Sequence, residues 1–166
     1  MSVASNIKSF SLKQLAVALV LSVPLMALVD RFRQEQREII PASAWFEVNS
    51  IYVPSFLVGE NPRITYDRAV KEPFRGFWVV EVQRKDPESN AFVLECHGSG
   101  VNDYEPADYI PQNSVTWEWF VGDKCADIPV GEYRLRVSWV MKRPNWPEKE
   151  VVAYSDGPFF VTARPD

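Results

Sequence analysis

The residues able to do chemistry are few, and their spacing suits none of the common reactions. There is one histidine, His97, so a serine–histidine–aspartate triad would have only that base to draw on. Its neighbours Gly98-Ser99-Gly100 read as a turn, and no serine lies in a Gly-x-Ser-x-Gly elbow. Zinc requires clustered thiolates and imidazoles, and Cys96-His97 with a distant Cys125 falls one ligand short. Asp103, Glu105 and Asp108 offer the oxygens that calcium prefers, at a spacing that matches no calcium loop; a solvated acidic loop is the plainer reading. No phosphate-cradling glycine loop or dinucleotide fingerprint is present. A glycosidase-type carboxylate pair could join positions far apart in the chain, but nothing points to one. The expectation is a non-enzyme with no metal and no cofactor.

Binding is better served than catalysis. Trp45 and Trp146 are the two aromatic residues that strand alternation explains least. Trp146 lies in Arg143-Pro144-Asn145-Trp146-Pro147, a predicted loop tip, where prolines would make it a rigid anchor for a partner or a sugar face. The competing reading folds Trp146 back over the end of the core. Cys96 and Cys125 form an even pair, which suits either one disulfide in an oxidising compartment or two buried thiols.

The 166 residues that must position these groups suffice for one compact domain and a short appendage. A net charge of −4 lacks the concentrated basic face that nucleic acid demands. The appendage is legible in the first 29 residues, whose only charged side chains are Lys8 and Lys13. Their apolar run, Leu15 to Val29, reaches about 20 residues when counted back to Phe10 with Lys13 snorkelling, the length of a membrane span. Pro24 is tolerated in such a helix. A cleaved signal peptide is the alternative, with Leu25-Met26-Ala27 a poor cleavage site, and a buried soluble helix is the third. Basic residues on the two flanks nearly balance: Lys8 and Lys13 against Arg31, Arg33 and Arg37. The short N-terminal flank and the cysteine pair beyond the span favour an N-terminus inside and a C-terminal domain outside. The predicted division is 1–9, a short cytoplasmic N-terminus; 10–29, a transmembrane helix in the lipid bilayer; 30–44, a helical stalk and connector stopped at Pro41; 45–163, the folded domain; and 164–166, a tail.

From Trp45 the apolar period changes to two, with breakers every 8–15 residues. The runs are Trp45–Val53, Arg63–Ala69, Gly76–Arg84, Ala91–His97, Ser114–Val121, Glu132–Met141, Val151–Tyr154 and Phe159–Ala163. They predict a mainly β domain, a seven- to eight-stranded antiparallel sandwich with no helix after Ile40. Alternation gives four inward rows: Tyr133, Leu135, Val137, Trp139 and Met141; Trp78, Val80 and Val82; Ile64 and Tyr66; Val115, Trp117 and Trp119.

The segment Ile128-Pro129-Val130-Gly131-Glu132-Tyr133-Arg134-Leu135-Arg136-Val137 resembles the entry to strand F of immunoglobulin-like and fibronectin type III-like sandwiches. In those domains a tyrosine at this place closes a corner on the backbone, a role the resemblance gives to Tyr133. Trp78 is similarly placed to their core tryptophan, and Val58 to Tyr66 looks like their turn into strand B. The chain departs from the family pattern in one respect: Cys96 and Cys125 are not in strands B and F, so the antibody-type inter-sheet disulfide is missing. That excludes a true antibody-type domain and leaves the general sandwich intact. One span followed by one such domain is similar to small membrane proteins of bacteria and their phages. The functional expectation is a single-pass protein of the inner or plasma membrane, showing its domain to the periplasm or exterior. There it would interact, without catalysis, with a protein or envelope component. The alternative is an envelope-associated carbohydrate-binding accessory or hydrolase.

Overall fold

In the computed structural model the chain divides into two compact units, one ending at Ile39 and one running from Ile40 to Asp166. Residues 24–106 and 114–165 are described in full, and 12–23 and 113 by backbone alone. The described residues of the first unit form one helix, α1 (Leu12–Ile39), which carries Pro24 without interruption and stops two residues before Pro41. That is where a residue with a fixed φ and no N–H ends a helix. The predicted span over 10–29 lies mostly outside the fully described residues. Among those described, no helix is long and apolar enough to cross a membrane.

The second unit is mainly β and has two sheets. Three strands form the smaller one in the order β1 (Phe46–Tyr52), β3 (Arg63–Val70), β6 (Asn113–Thr116). The larger contains β2 (Phe56–Leu57), β4 (Phe74–Lys85), β5 (Phe92–Tyr104), β7 (Gly131–Lys142), β8 (Lys149–Tyr154) and β9 (Phe159–Thr162). Its order is β2-β9-β7-β4-β5, with β8 and β9 pairing successive stretches of the same edge of β7. Pairing is antiparallel except for the two-residue contact of β2 with β9. Between the sheets lies one apolar core, to which Phe46, Ile51 and Ile64 contribute from the small sheet and Trp78, Val80, Val82, Leu135 and Val137 from the large one.

The rows on β4 and β7 are buried at every position that alternation selected, because a period of two matches the pleat. The row Val115, Trp117, Trp119 is corrected. The run ends as a strand at Thr116 and turns into a five-residue helix, α2 (Trp117–Val121), so the expectation of no helix after Ile40 also fails. Trp117, Phe120 and Val121 stand at i, i+3 and i+4 and share the buried face, while Trp119 turns out to 55% exposure. The start of α2 is held by Asn61, whose side-chain carbonyl accepts the Glu118 N–H at 3.0 Å. Gly122 ends it at φ 78°.

A second correction concerns Gly98-Ser99-Gly100, which is no turn but the middle of β5. The strand needs glycine there because other groups approach its inner face. A Cβ on Gly98 would run into the backbone carbonyl of Val121 in α2, and one on Gly100 would lie 2.5 Å from the Trp78 ring.

Tyr133 is fully buried, stacks on Phe159 at 5.8 Å, and donates its hydroxyl to the Pro129 carbonyl at 2.7 Å. Tyr133→Phe keeps the ring and removes this one bond. The full-length protein should lose about 0.5–1.5 kcal/mol in denaturant unfolding; an unchanged midpoint would mean that the bond is matched by water in the unfolded chain.

Candidate functional site

The two tryptophans singled out in the sequence meet at one end of the domain. Trp146 is half-buried, its ring edge-on to Trp45 at 5.4 Å, with the Arg143 guanidinium 4.9 Å from Trp45 and 5.4 Å from Trp146. Trp45 is 2% exposed, so its expected role as a contact residue is corrected: Trp146 covers it and the core claims it. Its backbone is fixed as well, since the Trp45 carbonyl accepts the N–H groups of Lys71 and Glu72. Trp146 itself packs on the core edge rather than standing free of it.

His97 is exposed on β5, opposite Glu81 of β4. Asp103 lies 3.9 Å from Arg75, and Asp108 falls outside the described residues. Among the described residues, no group of three or more His, Cys, Asp or Glu could hold a metal ion. Cys96 and Cys125 are joined by a disulfide, with Cα atoms 5.8 Å apart, which ties the turn after α2 to β5.

Among the described residues, unused polar capacity is found at a site that neither cysteine lines. A cavity of about 20 Å³, room for a single water molecule, opens between the sheets beneath α2. Alternation on β3 points Tyr66 and Arg68 toward it, and alternation on β5 does the same for Asn102 and Tyr104. Trp78 and Trp139, paired across β4 and β7, form part of its wall, and α2 adds Phe120 and Trp119. The rings are layered: Phe120 stacks on Trp78 at 5.5 Å and on Tyr66 at 6.3 Å, while Trp119 tilts over Trp78 at 5.9 Å. Trp119 and Asn102, both exposed, mark the mouth.

Into this aromatic setting the fold puts a cation. The Arg68 guanidinium lies 5.0 Å from the Tyr66 ring and 4.8 Å from the Tyr104 ring, an arrangement stabilised by the ring quadrupoles. Burial pushes the Tyr104 hydroxyl above its ordinary pKa, and the positive charge of Arg68 partly opposes that rise. Two buried donors on lining residues, Arg68 Nε and Trp78 Nε1, have no hydrogen-bond partner among the described residues. Each such orphan costs on the order of 1–3 kcal/mol, so a native fold keeps it only where an outside acceptor reaches it or function requires it. Flat rings and hydrogen-bond donors dominate this lining.

Sequence reasoning passed over Arg68, Asn102 and Tyr104, and assigned Trp119 to an inward row of the core. A signal for Arg68 was present: it follows Ile64 and Tyr66 at steps of two, an arginine on an inward row. No such signal marks Trp119, whose exposure depends on where β6 stops. Comparison with protein-family models, with curated proteins and with solved structures finds no match.

Proposed function

We propose that this chain is a single-pass membrane protein that displays an immunoglobulin-like domain outside the cytoplasm, where it binds a partner protein or envelope component without catalysis. The observation that carries the reading is the aromatic cavity with its two unpartnered donors beneath exposed Trp119, an arrangement suited to holding a ligand. The small sheet of β1, β3 and β6 facing a larger one in which β4 lies between β5 and β7 supports the immunoglobulin-like assignment, as does the Tyr133 corner. Leu25, Met26, Leu28 and Phe32 of α1 are 60–69% exposed, apolar surface that a bilayer would cover. The disulfide suits an oxidising compartment. A carbohydrate-binding accessory is the second reading, favoured by the exposed face of Trp119.

Two measurements test the proposal. A reporter active only outside the cytoplasm, fused after Asp166, should work; activity restricted to a cytoplasmic reporter would overturn the orientation. Crosslinking capture by the full-length protein in its own membrane should fall about tenfold or more for Trp119→Ala while stability shifts by less than about 1 kcal/mol. Undiminished capture would remove the cavity mouth from the interaction.

A further inference from the structure

Resting on the proposed binding role, we infer that the cavity beneath Trp119 is a subsite for a carboxylate carried on an apolar body: one oxygen enters between Arg68 Nε and Trp78 Nε1, and the body lies against Trp119. Three features select that class. Arg68 takes part in none of the six ion pairs formed among the described residues, so its charge, held between two tyrosine rings, is uncommitted to any carboxylate of the chain there. A ligand cation is repelled from a site that already contains one. The buried donors call for an acceptor, and an ionised oxygen makes the stronger bond with a guanidinium N–H.

Size and surroundings narrow the class further. Space of about 20 Å³ suits one ligand oxygen. A second cavity of about 300 Å³ shares Arg68, Asn102 and Tyr104 with it and adds the carboxylates of Asp103 and Glu105, which would disfavour a multiply charged anion there. Apart from Arg68, the walls are mainly rings and Ile51, with Asn102 the one amide, which is a poor match for the many hydroxyls of an acidic sugar. At the mouth, the 55% exposed Trp119 offers a flat apolar surface to whatever carries the carboxylate. An aryl or aliphatic acid and the C-terminus of an apolar peptide share this chemistry.

The test is a titration of the full-length protein in detergent, read by tryptophan fluorescence and amide chemical shifts. The probes are benzoate, N-acetylphenylalanine, benzamide, benzylamine and glucuronate. Benzoate and N-acetylphenylalanine should saturate, with benzamide, benzylamine and glucuronate at least about tenfold weaker. The tighter of the first two tells whether a free acid or a peptide terminus is the better source. Trp78→Phe keeps a ring and removes one donor, and should weaken benzoate about fivefold; Arg68→Gln should weaken it tenfold or more. Trp78→Phe also trims a core ring and Arg68→Gln removes a cation held over two tyrosine rings, so a modest fall in melting temperature is expected of both. Amide shifts that match the parent's away from the cavity separate lost recognition from lost folding. Saturation by benzamide as strong as by benzoate would overturn the inference. So would benzoate affinity unchanged in both variants, or no saturation by either acid, the result expected of a cavity that holds water alone. Partner capture that depends on Trp119 but is untouched by benzoate would sink this subsite and leave the binding role standing. Benzoate binding in a protein whose capture ignores Trp119 would do the reverse.

Discussion

Gly98→Ala should destabilise the folded domain by about 3 kcal/mol, and lower its melting temperature by on the order of 10 °C. The added methyl would meet backbone and not a side chain that can rotate away: the Val121 carbonyl carbon would lie 2.5 Å from it and Val121 Cα 2.9 Å. Relief therefore requires α2 to lift off β5. Trp117 and Val121 are fully buried and Phe120 nearly so, so lifting the helix exposes three large apolar side chains. The segment is also tied down two residues from the clash, through Cys96 and Cys125. Alanine in place of glycine ordinarily stabilises by about 0.4–1 kcal/mol through the unfolded chain, which is too little to offset this. Gly157→Ala, where an added Cβ would meet nothing within 4 Å, is the control and should be neutral or slightly stabilising. Melting of the full-length protein in detergent decides it. A Gly98→Ala midpoint within about 2 °C of the parent would mean that α2 does not rest on β5.

This glycine also shows where sequence reading stops. A Gly-Ser-Gly triplet reads as a breaker because glycine is permissive, yet here it serves close approach, and only the three-dimensional neighbour tells the two uses apart. The neighbour is α2, itself hidden: Val115, Trp117 and Trp119 alternate as well as any strand, and the i, i+3, i+4 set Trp117, Phe120, Val121 competes with that pattern over only five residues. What tips the balance is distant in the chain, Asn61 at the helix start and the packing of Trp117, whose Nε1 donates to the Cys125 carbonyl at 2.8 Å. By contrast the rows on β4 and β7 were legible because each is long, buried on one face and pinned by strict alternation.

The site suffered from the same limit in a sharper form. Its donors are a core tryptophan and an inward arginine, residues whose types say packing and ion pairing until their unused hydrogen atoms are located. Trp45 and Trp146 drew attention because no strand claimed them. They turn out to pack on one another at the edge of the core, which is the ordinary fate of large apolar rings outside regular strands. Exposure, and not irregularity, separates Trp119 from them.

Removing the Cys96–Cys125 bond should cost about 3–4 kcal/mol, the loop-closure entropy of a crosslink spanning 29 residues. The double substitution Cys96→Ser with Cys125→Ser measures it at equilibrium, and a reducing agent added to the parent should give a similar fall in the midpoint of denaturant unfolding. Identical midpoints in all three would mean that the bond contributes nothing to the fold. The crosslink and the glycine contact act on the same few residues, so their effects should not add. With the bond intact, α2 cannot retreat from a methyl on Gly98; with it gone, the helix can shift and the clash relaxes. Combining Gly98→Ala with the serine pair should therefore destabilise by about 1 kcal/mol less than the sum of the separate losses. Strict additivity would show that α2 is held on β5 by its buried rings alone. The disulfide would then act only on the unfolded chain, and the roof over Arg68 and Trp78 would stay in place whatever the redox state of its surroundings.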